Sequence, residues 1–298
     1  MQRRDFLLAT GAAALGAALP ARAAGYSMPV GYAAITWGGK DEQAIDDIAA
    51  VGFHGIQLRS PIIEHYGDKP EALRRRLSAK GLSLTCLSSG TVDADPGREQ
   101  EYLETHAAHA RFVKAAGGTL LQLISRRPKD RAPTPEEFDR LGRLLTAIGR
   151  RASDAGVRLV YHNHMGAFGQ APEEVARVLS ATDPRLVGFL LDIAHYEQGG
   201  GDPVAAVSRH RDRLVIVHLK DVVSPVPGDT RPPAQSYRWV ELGRGKVDVP
   251  GVVAALKKAD FHGPAVVELD AVPEPGRTPK ESAEINKRYV VEKLGLSL

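Results

Sequence analysis

A single cysteine in 298 residues excludes an internal disulfide, and Cys86 lies in the apolar run LSLTCLSSG, where it reads as a buried strand residue rather than a catalytic thiol. An excess of charge of either sign is missing too. Lysine and arginine number 39 against 36 aspartates and glutamates, a formal net charge of +3. No basic stripe interleaved with aromatics runs along the chain, so no nucleic-acid partner is expected. No apolar run reaches the roughly twenty residues of a membrane span; the nearest candidate, residues 6–19, is short and rich in alanine and glycine. No G-x-G-x-x-G follows the first strand-like segment, which removes the main sign of a dinucleotide-binding fold. With 30 glycines, 20 prolines and a quarter of its residues charged, the composition is that of an ordinary globular chain, neither fibrous nor disordered.

The start of the chain, MQRRDFLLATGAAALGAALPARAAG, has the layout of an export signal: Arg3-Arg4, an apolar stretch, and Ala21-Arg22-Ala23 as a small-residue cleavage site. RRDFL resembles the twin-arginine signal. Residues 1–23 are therefore expected to be a signal peptide and residues 24–298 a mature domain working in a bacterial periplasm. That route carries folded chains, so a cofactor can be loaded in the cytoplasm, and no membrane contact is expected once the signal is cleaved. An uncleaved anchor and a mitochondrial presequence are the alternatives.

What the mature chain does have is alternation. Short β-branched or apolar runs (VGYAAITW, GIQLRS, LSLTCLSS, TLLQLIS, RLVYHNH, VGFLLDIAH, LVIVHLKDV, PAVVELD) alternate with longer amphipathic patterns that read as helices. Strands this apolar suit a parallel sheet covered on its outer face, and eight strand-helix units close into a barrel. The expected fold is thus α/β, a single-domain (β/α)8 TIM barrel, with the doubly wound open sheet as its rival. Gly52, Gly81, Gly117-Gly118, Gly156 and Gly263 fall where helix caps are expected. The longest break, residues 224–245, follows the seventh strand and would lie on the catalytic face, as an ordered rim or as a floppy insertion.

The polar residues gather at strand ends. Strand five finishes in His162 and His164, strand six in Asp192 and His195, strand seven in His218, Lys220 and Asp221, and strand eight in Glu268 and Asp270. Alternation along a strand puts His162 with His164, His218 with Lys220, and Glu268 with Asp270 on shared faces, all at the end of the barrel where active sites form. Imidazoles and carboxylates from four consecutive strands would be a costly buried cluster unless a cation neutralised it. Mixed nitrogen and oxygen ligands suit Mn, Fe, Co or Zn, so one divalent metal is expected.

The stretches GFLLDIAH, VHLKDV, ELGRGKVDVPGVVAAL and AVVELD resemble the xylose-isomerase-like barrels, a superfamily of sugar isomerases, tagatose-type epimerases and inosose dehydratases. The similarity runs from AAITWGG to the last helix. It implies a metal held by Asp192, His218 and Glu268 with a fourth ligand on strand five. Epimerases of this type have a Glu-Asn-His pattern there, whereas this chain has His162-Asn163-His164; His162 takes the glutamate's place, with His164 near substrate, or the two roles are exchanged. YHNHMG and VHLKDV look closer to inosose-dehydratase-like members, in which the lysine after the strand-seven histidine lies near substrate. Relatives often carry a glutamate at the place of Gln57.

The implied chemistry is metal-assisted proton transfer next to the carbonyl of a keto sugar or cyclitol, through an enediolate. Glu268 or Lys220 would be the base, Lys220 alternatively the proton donor to a departing oxygen, and His164 a reserve base. Reprotonation gives an isomerase or epimerase, the first expectation; loss of a β-oxygen gives a dehydratase or lyase. Gln57, Trp37, Gln122, His195 and Arg244 are candidate substrate contacts. A non-catalytic sugar-binding protein and a three-zinc DNA-repair endonuclease are the rivals from other classes, and a homo-oligomer stays open.

Overall fold

The computed structural model describes residues 27–298; the expected signal peptide and its Arg3-Arg4 pair lie outside the described residues. The strands are β1 Val30–Ala33, β2 Gly55–Arg59, β3 Ser83–Val92, β4 Leu120–Ser125, β5 Arg158–His162, β6 Val187–Asp192, β7 Leu214–Leu219, β8 Asp221–Val223, β9 Arg238–Val240 and β10 Ala265–Val267. The α-helices are α1 Asp41–Val51, α2 Ile62–Tyr66, α3 Pro70–Ala79, α4 Glu99–Ala115, α5 Pro135–Asp154, α6 Pro172–Ser180, α7 Ile193–Gln198, α8 Pro203–Arg209, α9 Val249–Lys258 and α10 Pro279–Glu292. Eight strands close into a parallel barrel in the order β1-β10-β7-β6-β5-β4-β3-β2. The expected TIM barrel is the fold found.

Alternation within each strand sorts the side chains. Outward residues such as Leu58, Tyr161, Leu191, Leu219 and Val267 join one core between sheet and helices, while Ala33, Cys86, Val160, Leu190, Ile216 and Val266 form a separate apolar layer inside the barrel. Cys86 is thus a buried core residue. Helix starts carry local signals: α5 and α10 begin with a threonine cap, proline, and a glutamate that reaches back to the cap. Four of the expected glycine caps, Gly52, Gly81, Gly117 and Gly156, take positive φ, whereas after α9 it is Asp260 rather than Gly263 that does so.

Three differences from the sequence reading bear on the site, besides strand ends shifted by a few residues in β3, β5 and β10. The first strand stops at Ala33, and Ala34–Trp37 is a 3-10 turn. The sixth stops at Asp192, because its carboxylate caps the new helix α7 by accepting from the backbone N–H of Ala194 and His195, so His195 sits in a helix's first turn. The break after β7 is ordered: β8 and β9 pair as an antiparallel hairpin over the C-terminal mouth of the barrel. Among the described residues no helix is long and apolar enough to cross a membrane.

Candidate metal centre

Above the apolar layer, one step along each strand of the same parity, the barrel interior turns polar: Gln57, Gln122, His162, Asp192, His218 and Glu268 are all buried. One step further lie Arg59, His164, Lys220 and Asp270, beside Ser88, which is one step above Cys86. Of these five, Arg59, Ser88, His164 and Asp270 line the cavity that opens above Gln57, Gln122 and Glu268. A larger hollow at the opposite end of the barrel, beside Gly31, Gly55 and Thr85, is lined by no aspartate or glutamate side chain, and His54 and Lys257 are its titratable side chains.

In the polar layer four side chains face one another, with atoms of His162, Asp192, His218 and Glu268 all within 4.8 Å. His162 Nε2 and His218 Nδ1 each stand 3.5 Å from Asp192 Oδ2, and His218 Nδ1 stands 3.3 Å from Glu268 Oε2. His162 Nε2, His218 Nδ1 and Asp192 Oδ2 are buried without a hydrogen-bond partner. Orphaned polar atoms are costly. Ligand atoms set tetrahedrally at metal-ligand distance are about 3.4 Å apart, so these spacings fit a shared cation better than they fit hydrogen bonds. His164 is outside the group: its Nδ1 donates to Met165 O and its ring packs 3.8 Å from that of His195. Asn163 has a third task, clamping β5 to β6 by exchanging hydrogen bonds with the backbone N and O of Asp192.

Charges in the cluster set one another. Burial alone would raise Asp192 and Glu268, but the neighbours His195 and Lys220 for the one and His218 and Lys220 for the other hold both carboxyls well below the usual range. Burial lowers His162, whereas His218 is pushed up to about 9 because Glu268 and Asp192 outweigh its burial. His164 is pulled down to about 4 by burial, then by His162 and Lys220.

Lys220 is completely buried, with Nζ 3.1 Å from Glu268 Oε1, 2.7 Å from Asp270 Oδ1, 3.8 Å from Asp192 Oδ2 and 3.2 Å from His195 Nε2. Burial would lower it, yet Glu268, Asp270 and Asp192 raise it above its ordinary value, so it is an ammonium. Of the two roles read for Lys220, base or proton donor, these three carboxylate neighbours favour the donor. Asp270 is raised by burial against the pull of Lys220.

Other expected substrate contacts are redistributed. Trp37 is corrected to a core residue, buried against Tyr32 with its indole N–H donated to Asp47. Arg244 is corrected to a surface residue, 44% exposed and 3.6 Å from Glu241. Gln57 and Gln122 are in the site, but their amides are occupied by each other and by His218 and His162 rather than offered to a sugar. His195 forms a buried wall, its pKa lowered by burial and by Lys220.

Sequence reasoning missed Trp239 and Arg59. Trp239, on β9, lies under Lys220 Nζ at 4.5 Å and beside the His195 ring at 4.5 Å. Nothing in the loop's composition marks it, because the hairpin that delivers it is a tertiary feature. Arg59 shares the parity of Gln57 and could have been found by counting two residues on; among the described residues its side chain makes no hydrogen bond or ion pair, Asp41 is its electrostatic neighbour, and its Nε is buried.

The family model for xylose isomerase-like TIM barrels matches residues 45–289. The chain is 32% identical over 280 residues to the rhizopine catabolism protein MocC of Rhizobium meliloti, covering 83% of each. It is 28% identical to the inosose dehydratase of Geobacillus kaustophilus, covering 88% of this chain and 93% of that one. Among solved structures, the IolI protein with a bound zinc atom superposes with a TM-score of 0.74 at 18% identity, over 90% of this chain and 98% of that one. L-ribulose 3-epimerase does so with 0.73 at 16%, over 90% and 95%. At these identities the structural matches speak to the fold alone.

Proposed function

Because the chain belongs to the xylose isomerase-like TIM barrel family, we propose that it is a divalent-metal-dependent enzyme acting on a keto sugar or cyclitol, and that it eliminates a β-oxygen next to the carbonyl, as a carbon-oxygen lyase. The observation that carries this is Lys220, an ammonium fixed between Glu268 and Asp270. Elimination needs one base and one acid, and here a carboxylate and a proton donor stand on the same side of the cavity. Asp270 is the better placed acceptor: its side chain is 28% exposed and lines the cavity, against 6% for Glu268. Glu268 holds Lys220 with one oxygen and turns the other to the metal cluster. Relatives named inosose dehydratase favour the same outcome.

His162, Asp192, His218 and Glu268 would hold the metal, and the three orphaned atoms among them are the sign of fit. A bound cation supplies positive charge to polarise a substrate carbonyl. Two imidazoles with two carboxylates suit Mn, Fe, Co or Zn, and the solved IolI structure carries zinc. Arg59, across the mouth from the ligand strands, is available to a substrate oxygen. His164 supports a second reading, isomerase or epimerase, since it brings an imidazole to the cavity wall, from which it can act on a second face of the reacting carbon. RRDFL and Ala21-Arg22-Ala23 support export of the mature chain to a periplasm as part of the same proposal.

Incubation of the purified protein with an inosose and a panel of 3-keto-glycosides in D₂O tests the reaction. Water or an aglycone should be released with an absorbing enone, and the signal should vanish in Lys220→Ala. A product of unchanged mass apart from deuterium would replace the lyase with the isomerase or epimerase.

A further inference from the structure

Resting on that reading of the metal centre, we propose that Gln122 and Gln57 form a polarised amide relay that presents His218, but not His162, to a cation, so that metal binding must turn Gln122 over. The relay is four buried groups in series. His218 Nε2 donates to Gln57 Oε1 at 3.0 Å, Gln57 Nε2 donates to Gln122 Oε1 at 2.9 Å, and Gln122 Nε2 donates to His162 Nδ1 at 2.7 Å. Each side-chain amide has a carbonyl on one side and an NH₂ on the other. Two amides joined by a hydrogen bond therefore end in a carbonyl at one side of the pair and an NH₂ at the other, whichever way the pair is turned. One imidazole donates into the relay and the other accepts from it. Glu268 fixes the direction: its Oε2 lies 3.4 Å from Gln57 Nε2, and reversing Gln57 would set a carbonyl against a carboxylate.

A metal-bound imidazole gives the lone pair of one nitrogen to the cation and donates the N–H of the other to an acceptor. His218 is set for both conditions, with Nε2 donating to Gln57 and Nδ1 turned to the cluster without a hydrogen bond, where a cation would take the place of the proton that Glu268 and Asp192 favour. His162 meets neither. Its Nδ1 accepts from Gln122, which leaves the ring proton on Nε2, the atom that faces Asp192. For His162 to join, its proton must sit on Nδ1 and Gln122 must show it a carbonyl; Gln122 then opposes its NH₂ to that of Gln57, and the central hydrogen bond is lost. Gln122 is a positioning residue that weakens the fourth ligand.

Gln122→Glu tests this in the full chain. A carboxylate accepts from His162 Nδ1–H and Gln57 Nε2–H at once, so both imidazoles are presented. Affinities for Co²⁺ and Zn²⁺, measured by chelator competition at neutral pH, should tighten about tenfold or more in Gln122→Glu. Ser88→Asp, which adds a carboxylate to the same cavity outside the relay, should show no such gain. Unchanged or weaker binding by folded Gln122→Glu, or an equal gain in Ser88→Asp, overturns the relay and leaves the metal reading standing; no binding by wild type or Gln122→Glu overturns both. Should Gln122→Glu not fold, ¹⁵N–¹H correlation spectra of the wild-type histidine rings decide. His162 should carry its proton on Nε2 without metal and on Nδ1 after Zn²⁺ addition. A proton on Nδ1 before the metal is added, or no change on addition, overturns the proposal.

Discussion

Asp192 performs two tasks with two oxygens: Oδ1 caps α7 and Oδ2 faces the imidazoles. Asp192→Ala and His218→Ala should therefore lose bound metal completely, whereas His164→Ala should keep it; elemental analysis of the three variants checks this, and equal loss in His164→Ala would contradict the assignment. Arg59→Met should raise KM several-fold with a smaller change in kcat, read from steady-state kinetics on whichever keto sugar reacts. Away from the site, His106 and His109 share one hydroxyl, Ser89 Oγ, at 2.7 and 2.8 Å. His106 is pulled down to about 4, first by burial and then by His109, below its ordinary 6.5. The fold thus holds the neutral ring, so its contribution is complete above pH 6.5 and is lost as pH falls toward 4, roughly 3 kcal/mol in all. Urea denaturation between those limits should show a shallower acid loss in His106→Gln than in wild type; identical slopes would contradict it. Residue types and parity made the four clustered side chains legible in the sequence. Trp37 and Arg244 were misread because an indole and a guanidinium near a strand end look the same whether they face a cavity, the core or solvent.

The eight barrel strands were legible as elements because each is an apolar run bounded by turn signals, and their inner faces follow from alternation alone. The hairpin was not, since β8 and β9 are three residues each and are held by one buried carboxylate. Asp221 accepts from the backbone N–H of Val222, Gly243, Gly245 and Val247, which explains the glycines of ELGRGKVD without any phosphate site. A Cβ at Gly245 would collide with Asp221 Oδ1 and the backbone of Val222. Gly245→Ala should accordingly destabilise the chain by about 1–3 kcal/mol and loosen Trp239 from Lys220. Thermal denaturation together with tryptophan fluorescence tests this, and an unchanged melting temperature and spectrum would contradict it.

At the scale of the whole molecule the barrel is divided. The strands of the proposed ligands, β5, β6, β7 and β10, are contiguous, while β2 and β3 bring Arg59 and Ser88 to the opposite side of the mouth, so a substrate bridging the two would be held at both ends. This division follows from strand order, which the unit count of the sequence already implied; the metal itself is implied only by the neighbours each ligand meets. For export, replacing Arg3 and Arg4 by lysine should leave full-length precursor in the cytoplasm, seen by fractionation and mass spectrometry, and normal processing would point to another route. The most direct test of the centre is elemental analysis of the purified wild-type protein, with its melting temperature taken before and after chelation. The expected result is about one transition metal per chain and a melting temperature that falls on chelation, because the cation binds the folded state. No metal, and no change on adding Mn²⁺, Co²⁺ or Zn²⁺, would contradict a metal centre at His162, Asp192, His218 and Glu268.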